Sequence, residues 1–84
     1  MFRLVFARAA RKDLESLPSK MQDRILAEIE KLRENARPSK SKKLKGMSDT
    51  LRIRVGDYRV LYEIHEREVV VLVVRIRHRK DAYQ

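Results

Sequence analysis

The spacing of hydrophobic positions changes twice along the chain. Residues 1–6 alternate loosely and are rich in strand formers, which predicts a short first strand. From Ala7 the spacing turns helical. Ala10, Leu14 and Leu17 fall at i, i+4 and i+7, with Arg8, Arg11, Lys12 and Glu15 mostly elsewhere. Pro18 interrupts this helix or begins the next, since proline fits a first helical turn and breaks an interior. Ser19, with Gln22 three residues on, has the form of a capping box. Met21, Ile25, Ile29, Leu32 and Ala36 then make one apolar stripe, and Arg24, Glu28, Lys31 and Glu34 occupy the opposite face. Arg37-Pro38 ends the second helix.

The remainder reads as strand. Residues 35–48 hold no acid but include Arg37, Lys40, Lys42, Lys43 and Lys45, and with Pro38 and Gly46 they form a basic loop or weak strand. In Leu51, Arg52, Ile53, Arg54 and Val55 apolar and basic residues alternate strictly. Gly56-Asp57 is a turn, residues 58–64 a strand, and residues 65–68 a second turn. Residues 69–76 are a nearly continuous Val, Leu and Ile run, which predicts a strand covered on both faces. Two short turns imply an antiparallel meander. The expected architecture is an α+β domain over 1–84, ordered β-α-α-β-β-β, with both helices on one face of a curved, mainly antiparallel sheet.

Composition narrows the function. There is no cysteine, hence no disulfide framework and no thiolate metal site. The longest apolar run, residues 69–74, is far short of the ~20 residues a membrane helix needs. No apolar leader with a small-residue cleavage site follows the N-terminus, so a soluble, cytoplasmic protein is expected. A domain this small has a thin core, which leaves room for a partner to add stability. Lys and Arg number 21 against 12 Asp and Glu, a net charge of +9. The isoelectric point near 10.4 is the electrostatic footprint of nucleic-acid binding.

Alternation says where that charge goes. If Leu51, Ile53 and Val55 face the helices, Arg52 and Arg54 lie side by side on the other face. Arg59, opposed in parity to Tyr58, Val60, Tyr62 and Ile64, joins them from the next strand. Arg75, Arg77, Arg79 and Lys80 cluster at the end of the last strand. Any one of these arginines reads as an ordinary solvated position. As a set they are unusual, because a solvated sheet face normally mixes Thr, Ser, Glu and Lys. The guanidinium fork also suits phosphate. Tyr83 is either a packed chain-end aromatic or a base-stacking platform. His78 is an acid–base candidate or incidental, and His65 lies in a turn with no role. No Ser-His-Asp set, glycine-rich phosphate loop or obvious catalytic carboxylate is visible. RNA cleavage needs no metal, however, because the 2′-hydroxyl is an internal nucleophile that arginines and a tyrosine can align and whose charge they can stabilise.

Several segments together are familiar. Lys-Leu-Lys-Gly-Met at 43–47, Leu-Arg-Ile-Arg-Val at 51–55, Asp-Tyr-Arg-Val-Leu-Tyr at 57–62 and His-Arg-Lys-Asp-Ala-Tyr at 78–83 resemble the RelE branch of the RelE/ParE toxin superfamily. Phe-Ala-Arg-Ala-Ala-Arg-Lys-Asp-Leu at 6–14, followed by Leu-Pro, is similar to that family's first helix. The resemblance spans nearly the whole chain. It implies a ribosome-dependent endoribonuclease that cuts the A-site codon, leaves a 2′,3′-cyclic phosphate and a 5′-hydroxyl, and uses no cofactor. It implies that Arg52 and Arg54 orient the 2′-hydroxyl and neutralise charge, and that Arg59 contacts the scissile phosphate. Arg79 would stabilise charge or act as general acid, and Tyr83 would stack on a base. Arg37, Lys40, Lys42, Lys43, Lys45, Arg75, Arg77, His78 and Lys80 would then meet RNA or ribosome. The implied partners are a RelB-like antitoxin, acidic and partly disordered when free, and operator DNA through the toxin–antitoxin complex alone.

This sequence departs from the pattern at three places. Arginine stands at 52 and 54 where lysine is common, which makes a general-base role there harder because arginine hardly loses its proton. Arg77 stands where relatives often carry glycine. Two rival functions remain open at this level, a ParE-like action on DNA gyrase and a non-catalytic basic nucleic-acid-binding module.

Overall fold

The computed structural model describes residues 1–44 and 50–80. The elements run β1 (Arg3–Phe6), α1 (Arg8–Glu15), α2 (Ser19–Lys31), β2 (Lys42–Lys43), β3 (Thr50–Val55), β4 (Tyr58–His65) and β5 (Val70–His78). They form one mixed sheet of five strands in the order β1-β5-β4-β3-β2. The β2 to β5 ladders are antiparallel, and β1 joins β5 in parallel. A parallel partner for β1 follows from the two helices between them, which return the chain to the sheet running the same way. The basic segment before β3 contributes the two-residue edge strand β2.

Alternation dictates the core. Leu51, Ile53 and Val55 of β3, Val60 and Tyr62 of β4, and Val71, Val73 and Ile76 of β5 are buried together with Ala10, Ile25, Ile29, Leu32 and Ala36. The apolar stripe of α2 therefore meets one face of the sheet, as its spacing requires. Among the described residues only that face is covered by helices, and Leu72 and Val74 of β5 are half-buried. This corrects the expectation of a strand covered on both faces. A β-bulge beside Leu61 and Tyr62 shifts the β5 register, so that both Val73 and Ile76 reach the core.

Three local features differ from the sequence reading. Pro18 occupies the N-cap of α2 with no side-chain cap. Gln22 Nε2 instead donates to the Leu17 carbonyl at 2.7 Å, so the capping box does not form. Helix α2 ends at Lys31, well before Arg37-Pro38. Its last turn tightens through Leu32 N–H to Ile29 O at 2.9 Å, and the Arg33 carbonyl is taken by the Phe2 N–H, also at 2.9 Å. That bond ties the helix end to β1. Val69 opens no strand. It lies in the turn with φ 55°, a left-handed conformation that costs a β-branched residue about 1–2 kcal/mol. Val69→Asn, which relieves that strain, is expected to raise stability by about 1 kcal/mol, read as a higher urea midpoint with unchanged slope. A lower midpoint would mean that the side chain contributes more than the strain costs.

Helix α1 is pinned to β5 by one acid. β1 ends at Phe6, leaving the outer edge of β5 open beyond Val73. Asp13 Oδ2 accepts from the Ile76 N–H at 2.9 Å and from Arg75 Nε at 2.8 Å. The carboxylate thus replaces a missing strand. Burial raises the Asp13 carboxyl, but the hydrogen bonds from Arg75 and Ile76 and the charges of Arg75 and Arg77 outweigh it and hold it below its ordinary value. A carboxyl lowered by folding stabilises fully above its unfolded value, near 4, and that stabilisation is lost as pH falls through and below it. Asp13→Asn is expected to cost about 1–3 kcal/mol at neutral pH and to flatten the acid limb of stability against pH. Urea titrations at pH 7 and pH 3 measure both.

Candidate functional site

The β3–β4 hairpin builds the centre of the open face. Its two-residue turn begins at Gly56 with φ +60°, the geometry a primed hairpin turn demands. A Cβ at Gly56 would stand 3.2 Å from Arg24 Nη1, the far end of a flexible side chain, so it is the backbone that calls for glycine. The turn sets the register, and the register sets the charges. Arg54 pairs with Arg59, and Arg59 with Arg77. Adjacent strands lie about 4.8 Å apart, so three arginines form one row across β3, β4 and β5. Like charges directly opposite each other destabilise a sheet. The next row holds Lys42, Arg52, Leu61 and Arg75.

Beyond β5 the chain folds back over the turn. The Arg79 N–H donates to the Asp57 carbonyl at 2.7 Å, which brings residues 79 and 80 beside the hairpin. The result is a cleft of about 280 Å³ lined by Arg54, Gly56, Asp57, Arg59, Arg79 and Lys80. Arg59 is half-buried, its Nε is shielded from solvent, and its side chain contributes to the cleft wall. Arg79 is exposed, its Nε 4.0 Å from Asp57 Oδ1. A concave surface carrying three guanidiniums and an ammonium is built to take a phosphate oxyanion.

Of the five residues expected to be catalytic, Arg54, Arg59 and Arg79 come together in this cleft. Arg52 lies one row behind, and Tyr83 falls outside the described residues. The wider basic set divides. Lys42 and Lys43 are exposed on the sheet edge and Lys80 lines the cleft. Lys45 falls outside the described residues. Arg75 is drawn away to Asp13, Arg37 pairs with Glu66 at 2.8 Å, and Lys40 pairs with Glu28. Lys31 and Lys40 together hold the Glu28 carboxyl down to about 2. His78 stands opposite Tyr58 in the ladder, their rings edge to face at 5.1 Å. Its Nδ1 accepts from the Lys80 N–H at 3.2 Å. It therefore shares the face of Tyr58, not that of Arg59.

Sequence reasoning passed over Asp57, which it read only as a turn residue. The signal was its place between the alternating Arg54 strand and Arg59. Asp13 was likewise unremarked, because the site it fills exists only once β1 stops short of β5. Among the described residues no three His, Asp or Glu side chains gather to hold a metal ion. No helix among them is long and apolar enough to cross a membrane.

Residues 4–83 match the family described as the ParE toxin of the type II toxin–antitoxin system parDE. Toxin RelG of Mycobacterium tuberculosis is 34% identical over 85 residues, covering 94% of this chain and 92% of its own length. Toxin RelE3 of Methanocaldococcus jannaschii is 33% identical, covering 96% and 94%. The fold is also that of the toxin in the crystal structure of the intact E. coli RelBE toxin–antitoxin complex, with a TM-score of 0.81, 27% identity and coverage of 90% and 94%. With the same two helices on the same sheet over nearly its full length, the chain belongs to the ParE toxin family of type II toxin–antitoxin systems and is of the RelE type.

Proposed function

We propose that this toxin is an endoribonuclease that enters the ribosomal A site and cuts the codon there, halting translation. The observation that carries the reading is the cleft in which Arg54, Arg59 and Arg79 converge from two strands and the segment after β5. In-line attack by the 2′-hydroxyl forms a new bond to phosphorus and breaks the bond to the 5′-oxygen. The products are a 2′,3′-cyclic phosphate and a 5′-hydroxyl. Arg59 contacts the scissile phosphate from the centre of the row. Arg54 orients the 2′-hydroxyl, Arg52 neutralises charge from the row behind, and Arg79 stabilises the charge that develops on the phosphorane. Tyr83 stacks on a base of the codon. Lys42, Lys43 and Lys80, with Arg77, extend the positive surface toward ribosome and message. Positioning and charge stabilisation supply much of what this chemistry asks of the protein, since the nucleophile is already part of the substrate.

The partner of the free toxin is a RelB-like acidic antitoxin that folds as it covers the basic face, and operator DNA is met through that complex. Similar toxins crystallised with RelB antitoxins support this part of the reading. The reading places the toxin in the cytoplasm, where ribosomes are. A single 2′-deoxynucleotide at the cut position of a message on programmed ribosomes tests the mechanism. The wild-type toxin is expected to cut the all-ribose message and spare the substituted one, and equal cutting of both would contradict 2′-hydroxyl attack. The family's ParE description favours one other reading, inhibition of DNA gyrase, which a supercoiling assay with the same preparation decides.

A further inference from the structure

An arginine-lined cleft leaves one chemical need unmet. Attack by the 2′-hydroxyl requires a group that takes its proton. Guanidinium has no acceptor and hardly loses a proton, and an ammonium also has none. Among the described residues lining the cleft, Asp57 is the one side chain with acceptor lone pairs. Its carboxylate is about two-thirds exposed, at 65%, and its 4.0 Å separation from Arg79 Nε is too long for a tight ion pair. It is therefore held near the cations yet open to a substrate. The groups around it are Arg54 on β3, Arg59 on β4, Arg79 and Lys80 after β5, and Arg24 of α2 against the neighbouring Gly56.

Resting on the nuclease reading, we propose that Asp57 is the catalytic base. The 2′-hydroxyl proton passes to an Asp57 carboxylate oxygen as the 2′-oxygen bonds to phosphorus. The bond from phosphorus to the 5′-oxygen breaks, and a solvent water protonates that oxygen. The hydroxide so formed takes the proton from Asp57 and restores the carboxylate. The turn geometry does not depend on this side chain, because the bond from Arg79 goes to the Asp57 backbone carbonyl. Asp57→Asn therefore removes the base and leaves the loop in place.

The base role and a merely electrostatic role predict opposite signs. Asn at 57 removes a negative charge from a basic cleft, so binding to an uncleavable 2′-deoxy message on programmed ribosomes should hold or tighten. The single-turnover cleavage rate at saturating toxin should nevertheless fall about a hundredfold or more. Asp57→Glu, which keeps a carboxylate, should recover part of the rate that Asp57→Asn loses. Cutting by Asp57→Asn within a few-fold of wild type would overturn the proposal. So would weakened binding with an unchanged saturating rate, the mark of a positioning residue. If the wild-type toxin leaves the message whole, the nuclease reading itself fails and the base falls with it.

Discussion

Arg59→Ala is expected to lower the saturating cleavage rate by on the order of 10³-fold, the effect of removing a preorganised donor from a developing oxyanion. Arg59 is the middle member of the row, flanked by Arg54 and Arg77 on the adjoining strands. Its Nε is shielded from solvent and the side chain forms part of the cleft wall, which limits its freedom before any substrate arrives. Alanine deletes that donor but leaves Arg54, Arg79 and Lys80 in the cleft. Ribosome binding should therefore survive, with a salt dependence shallower by roughly one phosphate contact. Single-turnover rates and binding titrations at two salt concentrations separate these effects. A graded, salt-dependent loss of binding with an unchanged rate would identify a binding module without chemistry.

Tyr62→Ala should be the most destabilising single change, costing about 3–5 kcal/mol, as large aromatic truncations in cores do. Tyr62 has no solvent exposure and is among the largest fully buried side chains. Its hydroxyl donates to the Ala36 carbonyl at 2.8 Å, which fastens the segment after α2 to β4. Burial pushes the hydroxyl above its ordinary value against opposing pulls from Ser41 and Arg37, which keeps it protonated as a donor. A core this small supplies only about 3–5 kcal/mol in all, so the alanine variant should be largely unfolded at 25 °C. Tyr62→Phe keeps the ring and leaves one carbonyl unpaired, for about 1–3 kcal/mol. Thermal melts followed by circular dichroism rank the three. A cost for Phe equal to that of Ala would shift the weight from packing to the hydroxyl.

The fold was readable where one physical rule dominated. The spacing of Met21, Ile25, Ile29 and Leu32 leaves α2 a single face to bury, and the strict alternation from Leu51 to Val55 leaves β3 a single orientation. The arginines of the open face follow from that parity alone. What alternation could not supply was long-range context. Val69 looks like a strand residue, yet the turn before β5 takes it into a left-handed conformation. The pairing of Arg75 with Asp13 depends on α1 packing over an edge that β1 leaves open, and that edge is not written in either segment. The bulge beside Leu61 shifts which β5 residues face inward, so His78 faces with Tyr58 despite its arginine neighbours. Ion pairs such as Arg37–Glu66 and Lys40–Glu28 likewise draw part of the basic surplus away from the cleft. Arg54, Arg59, Arg79 and Lys80 are left together in the cleft where β3, β4 and the segment after β5 meet.

The most direct measurement is primer extension on a defined message in a purified translation system, with and without ribosomes. A nuclease of this kind gives new stops within the A-site codon, present with ribosomes alone and lost in Arg59→Ala. A message that stays intact beside wild-type toxin would contradict it and would reduce the arginine cleft to a binding surface.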